Sequence, residues 1–217
     1  MSHPTFIGLP FDTTHNAPPD ADNIDQYPES LVRYFLEHYT KAGDRILDPF
    51  IGFGTTAFVA EDMNRTPYGI EADGERFEWA AGQIAHWQNI KHGDAADIPE
   101  HNFPKMDFCI TSPPYMPISD KWNPLYGGDP DHAGYETYLN RLGFIFDRIA
   151  EVMKKNAHII VQADNLQGKP YTPLVRDFST KISRSLKPQG EVIIRWSGEM
   201  PATLKEYTHT HCLIFKK

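Results

Sequence analysis

Five consecutive residues, Thr111-Ser112-Pro113-Pro114-Tyr115, follow the apolar run 106–110. Two consecutive prolines cannot donate to a sheet and hold the backbone stiff, so their carbonyls and the flanking side chains point at fixed places. A planar amine on a heteroaromatic ring needs such a surface. Its lone pair is delocalised, and it attacks only when acceptors hold its hydrogens and draw the nitrogen towards a tetrahedral shape. Ser112 Oγ and the Pro113 carbonyl are the acceptors this motif offers, with Tyr115 to stack on the ring.

Three features precede it. Asp48-Pro49-Phe50-Ile51-Gly52-Phe53-Gly54-Thr55-Thr56 sits where a short strand ends and a helix starts. Glycines there let a ligand approach the backbone, and the N–H groups of a helix start welcome an oxygen-rich or carboxylate-bearing ligand. A plain tight turn uses the same residues. Glu71 follows Gly52 by nineteen residues, at the end of the next apolar run, where an acidic side chain takes both hydroxyls of a ribose. His92-Gly93-Asp94-Ala95 ends the strand after that. Asp94 suits the exocyclic amine of an adenine, or serves as a turn residue.

Short β-branched or aromatic runs alternate with longer amphipathic segments, the pattern of a parallel sheet covered by helices. The expected strands are 45–48, 67–71, 89–92, 106–111, 158–162, 191–196 and 209–215. The expected helices are 28–39, 55–63, 74–87, 135–153 and 172–186. At about 150 residues per domain, 217 residues read as a single domain, 1–217. Residues 1–26 hold four prolines, no Lys or Arg, and Asp12, Asp20, Asp22 and Asp25, the composition of an irregular arm. The stretch 116–134 is too long for an ordinary connection and is expected to form a substrate-side loop.

Composition is that of a soluble globular protein, with 40% hydrophobic and 23% charged residues and a mean hydropathy of -0.50. No apolar run reaches the roughly 18 residues of a membrane helix, and the N-terminus lacks the features of a secretory signal, so a cytoplasmic location is expected. Two lone cysteines, Cys109 and Cys212, offer no disulfide framework and no zinc pattern. The net charge of -8 divides unevenly. Residues 1–139 carry 8 Lys and Arg against 22 Asp and Glu, and residues 140–217 carry 13 against 7. The acidic total argues against indiscriminate adhesion to nucleic acid. Lys154, Lys155, Lys169, Arg176, Lys181, Arg184, Lys187 and Arg195 are candidates for a local basic face or an ordinary solvated one.

Asp48-Pro49-Phe50-x-Gly52-x-Gly54-Thr55, Gly69-Ile70-Glu71 and Ser112-Pro113-Pro114-Tyr115 together resemble the S-adenosylmethionine-dependent amino-group DNA methyltransferases, which modify cytosine N4 or adenine N6. The motifs span about residues 27–115. Tyr27-Pro28-Glu29-Ser30-Leu31 resembles the family element that helps hold the methionine part of the cofactor. The resemblance implies a Rossmann-like class I methyltransferase fold: a mostly parallel seven-stranded sheet, helices on both faces and the seventh strand antiparallel. It also implies S-adenosyl-L-methionine as cofactor, bound by Tyr27, Pro28, Asp48, Pro49, Phe50, Gly52, Gly54, Thr55, Glu71 and Asp94. Ser112, Pro113, Pro114 and Tyr115 would do the chemistry. Ser at the first catalytic position is more typical of the cytosine-N4 enzymes. Few residues remain after the core for a target-recognition domain, so sequence choice is expected to fall to the 116–134 loop and the basic C-terminal half, or to a sequence-reading partner protein or a homodimer. DNA is the expected substrate. RNA is the alternative, since similar tetrapeptides occur in RNA guanine-N2 methyltransferases, and a partner subunit without turnover is a third reading. No metal is required, although His209 and His211 sit two apart on one strand. Trp122 and Tyr126 are of the type that stacks on a base or packs the loop down; Trp79 and Trp87 read as core.

Overall fold

Neighbouring residues of a strand point to opposite faces of the sheet, and here that alternation sorts the core into two layers. The computed structural model describes residues 4–12, 18, 26–198 and 208–217. In chain order the elements are β1 (Phe6–Pro10), α1 (Glu29–Tyr39), β2 (Arg45–Asp48), α2 (Thr55–Asp62), β3 (Thr66–Glu71), α3 (Gly74–Gln83), β4 (Ile90–His92), β5 (Met106–Thr111), α4 (Tyr135–Val152), β6 (Met153–Ala163), α5 (Leu174–Ile182), β7 (Lys187–Ser197) and β8 (His209–Lys216). The sheet runs β1-β7-β8-β6-β5-β2-β3-β4, and β8 alone is antiparallel, to both β6 and β7.

On one face Ile46, Phe108, Ile110, Ile160 and Ile214 pack against Leu31, Val32, Phe35 and Leu36 of α1 and Val59 and Ala60 of α2. On the other, Leu47, Cys109, Ile159, Val161, Leu213 and Phe215 pack against Tyr138, Leu142, Phe146 and Ile149 of α4 and Phe178 and Ile182 of α5. Each fully buried Leu, Ile or Phe contributes roughly 1.5–3 kcal/mol, so these two faces hold the sheet between its helices. Because β2, β3 and β5 all run the same way, Asp48, Glu71 and Thr111 arrive at the same edge of the sheet. Ligands bind in α/β folds at that carboxyl edge.

The seven expected strands all form, and the expected antiparallel one is the last of them. The sheet nevertheless has eight strands, because Phe6–Pro10, inside the segment read as irregular, pairs in parallel with β7 from Phe6↔Ile193 to Pro10↔Ser197. Edge strands tolerate a terminal proline and little burial, so β1 draws its order from the β7 ladder rather than from a local pattern. The segment also delivers Asp12, whose carboxylate accepts the Ser30 N–H at 2.9 Å and whose carbonyl accepts the Glu29 N–H at 3.1 Å. Pro28, at the start of α1, has no side-chain oxygen to offer, and Asp12 caps the helix in its place. Asp20, Asp22 and Asp25 lie outside the described residues.

Two helices are shorter than expected. α3 ends at Gln83 because the Glu61 carboxylate accepts the Ala85 and His86 N–H groups and turns the chain away. Trp87 is therefore 53% exposed rather than core, while Trp79 is half-buried. α5 starts only after Pro173 and ends at Ile182. Among the described residues no helix is long and apolar enough to cross a membrane.

Candidate active site

Asp48, at the end of β2, is 1% exposed and gathers four donors. Thr111 Oγ1 and Thr56 Oγ1 each donate to it at 2.6 Å, Tyr27 O–H at 2.8 Å and the Phe50 N–H at 3.1 Å. One carboxylate thus ties together the end of β5, the start of α2, the segment before α1 and the glycine loop. Burial pushes its pKa up and the four donors pull it back. The same burial, with Asp48 beside it, raises the Tyr27 phenol well above its ordinary value. Asp48 therefore acts from beneath the ligand-facing surface, as the hub that sets its shape.

Above it the loop turns through Gly52 (φ +55) and Gly54 (φ +96), conformations that favour glycine. The Gly52 N–H donates to Glu71 Oε2 at 2.8 Å, and Glu71 Oε1 accepts the Asp73 N–H at 2.9 Å. Burial raises Glu71, opposed by those two donors and by Arg76. Close packing demands a third glycine, since a Cβ on Gly69 would stand 2.3 Å from Ile51 Cδ1. α2 begins directly after Gly54 with no side-chain cap and no acidic residue in its first turn. An uncapped helix start attracts a carboxylate. Tyr27, Phe50, Gly52, Phe53, Thr55 and Ser112 line one small, open cleft, with Gln26 and Ile51, neither of them an expected site residue. Of the other expected cofactor residues, Pro28, Asp48, Pro49, Gly54, Glu71 and Asp94 are not part of this lining. A lining of peptide groups, hydroxyls and aromatic rings, set on an uncapped helix start, fits the amino-acid part of S-adenosylmethionine.

The diproline ledge is held at both ends. Thr111 is fixed by Asp48. The Pro114 carbonyl accepts the Tyr138 O–H of α4 at 2.9 Å, and the Tyr115 O–H donates to Gln162 Oε1 of β6 at 3.0 Å. Tyr115 is half-buried, with Phe178 edge-on at 6.2 Å. Burial raises its phenol well above the ordinary value, Asp164 adds to this, and the Ser112 hydroxyl beside it opposes. Between the two anchored ends lie Ser112, which borders the cleft, and Pro113, whose carbonyl accepts no hydrogen bond among the described residues. Of the ledge oxygens, Ser112 Oγ thus has the Tyr115 phenol beside it and Pro113 O has no partner among the described residues.

Asp94 lies further along the same edge with both oxygens engaged. One caps the following turn through the Ala96 N–H at 2.8 Å, and the other accepts from Arg141 Nη2 of α4 at 2.6 Å. Arg141 in turn lies over the Tyr126 ring at 4.8 Å, and Tyr126 stacks on His132 at 4.1 Å. Tyr126 is thus packed within the loop rather than offered to a base. The 116–134 loop is built around Asn123, which is 0% exposed. Its Oδ1 accepts the Leu125 N–H, its Nδ2 donates to the His132 carbonyl and its own carbonyl accepts the Gly128 N–H. Trp122 packs against Gly128, where a Cβ would meet its indole nitrogen at 2.0 Å, yet stays 57% exposed.

Part of the expected basic face is spent internally: Lys181 is buried against Glu136 and Asn140, and Lys154 pairs with Asp107. His211 Nδ1 meets Glu191. Among the described residues no group of three His, Cys, Asp or Glu could hold a metal ion. The residues that hold the ledge, Tyr138 and Gln162, carried no signal of their own in the sequence, since each sits in an ordinary helix or strand pattern.

Residues 13–82 match the family described as DNA methylase. The type II methyltransferase M.BglII of Bacillus subtilis is 44% identical over 61 residues, 28% of this chain and 17% of that protein. M2.DpnII of Streptococcus pneumoniae is 48% identical over 59 residues, 27% and 22% of the two chains. The matched stretch is about a fifth of the length of these relatives. Among solved structures, TrmN from Thermus thermophilus superposes with a TM-score of 0.61 at 16% identity, covering 88% of this chain and 49% of that one. A precorrin-6y C5,15-methyltransferase from Geobacter metallireducens GS-15 gives 0.59 at 11% identity, covering 91% and 93%. Over residues 13–82 the sequence is similar to the amino-group DNA methyltransferases, and the sheet that carries this stretch has the class I methyltransferase fold.

Proposed function

We propose that residues 1–217 form one methyltransferase domain that transfers a methyl group from S-adenosylmethionine to the exocyclic amino nitrogen of a nucleobase in DNA, cytosine N4. One observation carries the reading. Ser112, on a ledge anchored on both sides, borders the cleft formed by Tyr27, the glycine loop and the start of α2, and the Pro113 carbonyl next to it in the chain accepts no hydrogen bond among the described residues. When bound, S-adenosylmethionine supplies a methyl carbon on a sulfonium, a good leaving group.

The remaining work belongs to the chain. Thr55 and the first N–H groups of α2 hold the amino-acid carboxylate, Tyr27 and Phe50 its flank, and Glu71 the ribose hydroxyls in exchange for the Gly52 N–H. Asp94 takes the adenine amine, sharing its carboxylate with Arg141. Ser112 Oγ and Pro113 O accept the two N–H groups of the target amine, which frees its lone pair for in-line attack. Alignment within roughly 3–3.5 Å is the main source of rate, and the same two oxygens stabilise the positive charge that grows on nitrogen. Tyr115 bounds the site on the ring side, and the surplus proton leaves to solvent after transfer. In duplex DNA the base must leave the stack to reach the ledge, and Trp122 of the 116–134 loop is an exposed aromatic residue of the type that takes part in this. The serine at the head of the tetrapeptide supports cytosine N4 over adenine N6. A sequence-reading partner protein or a second copy of the chain would supply site choice.

A second reading, an RNA amino-methyltransferase, is favoured by the acidic balance of residues 1–139, which disfavours a duplex. The purified chain with radiolabelled cofactor, offered DNA and RNA in turn, decides between them. Label in DNA supports the proposal, and label in RNA alone or in neither overturns it.

A further inference from the structure

The Tyr115 phenol ends in a buried polar set that the transfer chemistry does not use. Its O–H donates to Gln162 Oε1 at 3.0 Å. Gln162 Nε2 donates to Asp164 Oδ2 at 2.9 Å and to Thr210 Oγ1 at 2.6 Å, and the Thr210 hydroxyl donates to the same Asp164 oxygen at 3.0 Å. Gln162 and Thr210 are 8% and 1% exposed, on the adjacent antiparallel strands β6 and β8.

An ionised carboxylate only accepts hydrogen bonds. It holds the Gln162 amide with its nitrogen towards Asp164 and its oxygen towards Tyr115. That oxygen draws the phenolic hydrogen inward, and the Tyr115 lone pairs then face the adjacent Ser112 hydroxyl. A Ser112 O–H that donates to Tyr115 keeps its own lone pairs for an incoming N–H. If Asp164 is protonated, its O–H can donate to the amide oxygen and the amide turns over. An NH2 group then faces Tyr115, and the order of donors reverses as far as Ser112.

We propose that Asp164, Gln162 and Thr210 are positioning residues that fix the direction of the hydrogen bonds running through Tyr115 to Ser112, so that Ser112 Oγ is presented as an acceptor only while Asp164 is charged. The inference rests on the amine-transfer reading of the ledge. The groups that face Asp164 are Gln162 from β6, Thr210, His211 and Cys212 from β8, and Tyr115 from the ledge. Glu191 of β7 stands behind His211, and the His209 ring lies 5.3 Å from it. Burial raises Asp164 to about 6, against the pull of Thr210, of the His211 charge and backbone N–H, and of Gln162.

The test is single-turnover methyl transfer at saturating cofactor across about pH 5–8. The wild-type rate should rise through about pH 6. Asp164→Asn should flatten that limb and lower the plateau about tenfold, the order expected of a misaligned acceptor, with the cofactor Kd unchanged. His211→Asn should keep the limb and move it to higher pH. Asp164→Asn added to Tyr115→Phe should cost nothing beyond Tyr115→Phe alone, because the carboxylate acts through the phenol. A folded Asp164→Asn protein with the wild-type rate and limb overturns the inference, as does additivity with Tyr115→Phe.

A readout independent of turnover separates this from the reading it rests on. In protein labelled at the tyrosine ζ carbon, the resonance that Tyr115→Phe deletes should titrate near pH 6 in the wild type and not in Asp164→Asn. Absence of that titration refutes the positioning role even if transfer is active. Absence of transfer by the wild type refutes the proposed reaction even if the titration is seen.

Discussion

Replacing Tyr138 by Phe removes one hydroxyl and nothing else from a fully buried ring. That hydroxyl is the donor to the Pro114 carbonyl at 2.9 Å, the anchor that ties the ledge to α4. An internal hydrogen bond is worth about 0.5–1.5 kcal/mol net, and an acceptor left without a partner costs about 1–3 kcal/mol when fully buried. Pro114 is half-buried, so water offsets part of this and about 1 kcal/mol is expected. For a chain of this size that is a fall in Tm of about 2–4 °C. The effect on rate should be larger than the effect on stability. Pro114 follows the Pro113 carbonyl directly in the chain, and a displacement of 1 Å in a reacting group can cost about a hundredfold. Calorimetric titration with S-adenosylhomocysteine should give an unchanged Kd, since Tyr138 does not line the cleft, while single-turnover transfer slows by about 10–100-fold. An unchanged rate with the expected fall in Tm would refute the reasoning, because the anchor would then hold structure but not the acceptors.

Other perturbations follow from the same packing and charges. Gly69→Ala puts a Cβ 2.3 Å from Ile51 Cδ1; the strain should cost about 1–3 kcal/mol and be read as a lower urea midpoint, with cofactor binding weakened because Ile51 carries the loop. Asp164, ordinarily near 3.8, is raised to about 6 in the folded protein, so the folded state holds the proton more tightly than the unfolded one. Its contribution is present below about pH 4 and lost as pH rises through about 6, a change of at most about 3 kcal/mol; urea unfolding of wild type against Asp164→Asn should show the difference shrinking to a constant above about pH 7. Trp122→Ala should leave Tm within about 1 °C, since the ring is 57% exposed, and weaken DNA binding severalfold; an unchanged DNA affinity would remove Trp122 from the approach surface.

The features legible in the sequence were those where backbone chemistry and residue type coincide. Gly52 and Gly54 are named by the conformations they must adopt, the diproline by its stiffness, and the strands 45–48 and 106–111 by short runs rich in apolar residues that match β2 and β5 to the residue. The eighth strand was not legible, because Phe6–Pro10 has neither the length nor the composition to pair alone and is ordered by β7. The partners of the site residues were hidden for a related reason. Asp48 was readable as a residue beside the loop, but its four donors come from four segments of the chain, as far away as Thr111. Gln162 and Thr210 read as polar interruptions of β6 and β8, and only the antiparallel register brings them together under Tyr115. Arg141 looks like the polar face of α4 until the fold lays it between Asp94 and Tyr126.

The central claim is that Ser112 Oγ and the Pro113 carbonyl grip an aromatic amine beside a bound methyl donor. Its most direct measurement is the single-turnover transfer rate of Ser112→Ala, with cofactor affinity measured on the same preparation and the methylated nucleoside identified by mass spectrometry. The account predicts N4-methylcytosine from the wild type, a rate lowered about a hundredfold by the substitution, and the same cofactor Kd for both proteins. A Ser112→Ala protein that methylates DNA at the wild-type rate would contradict it.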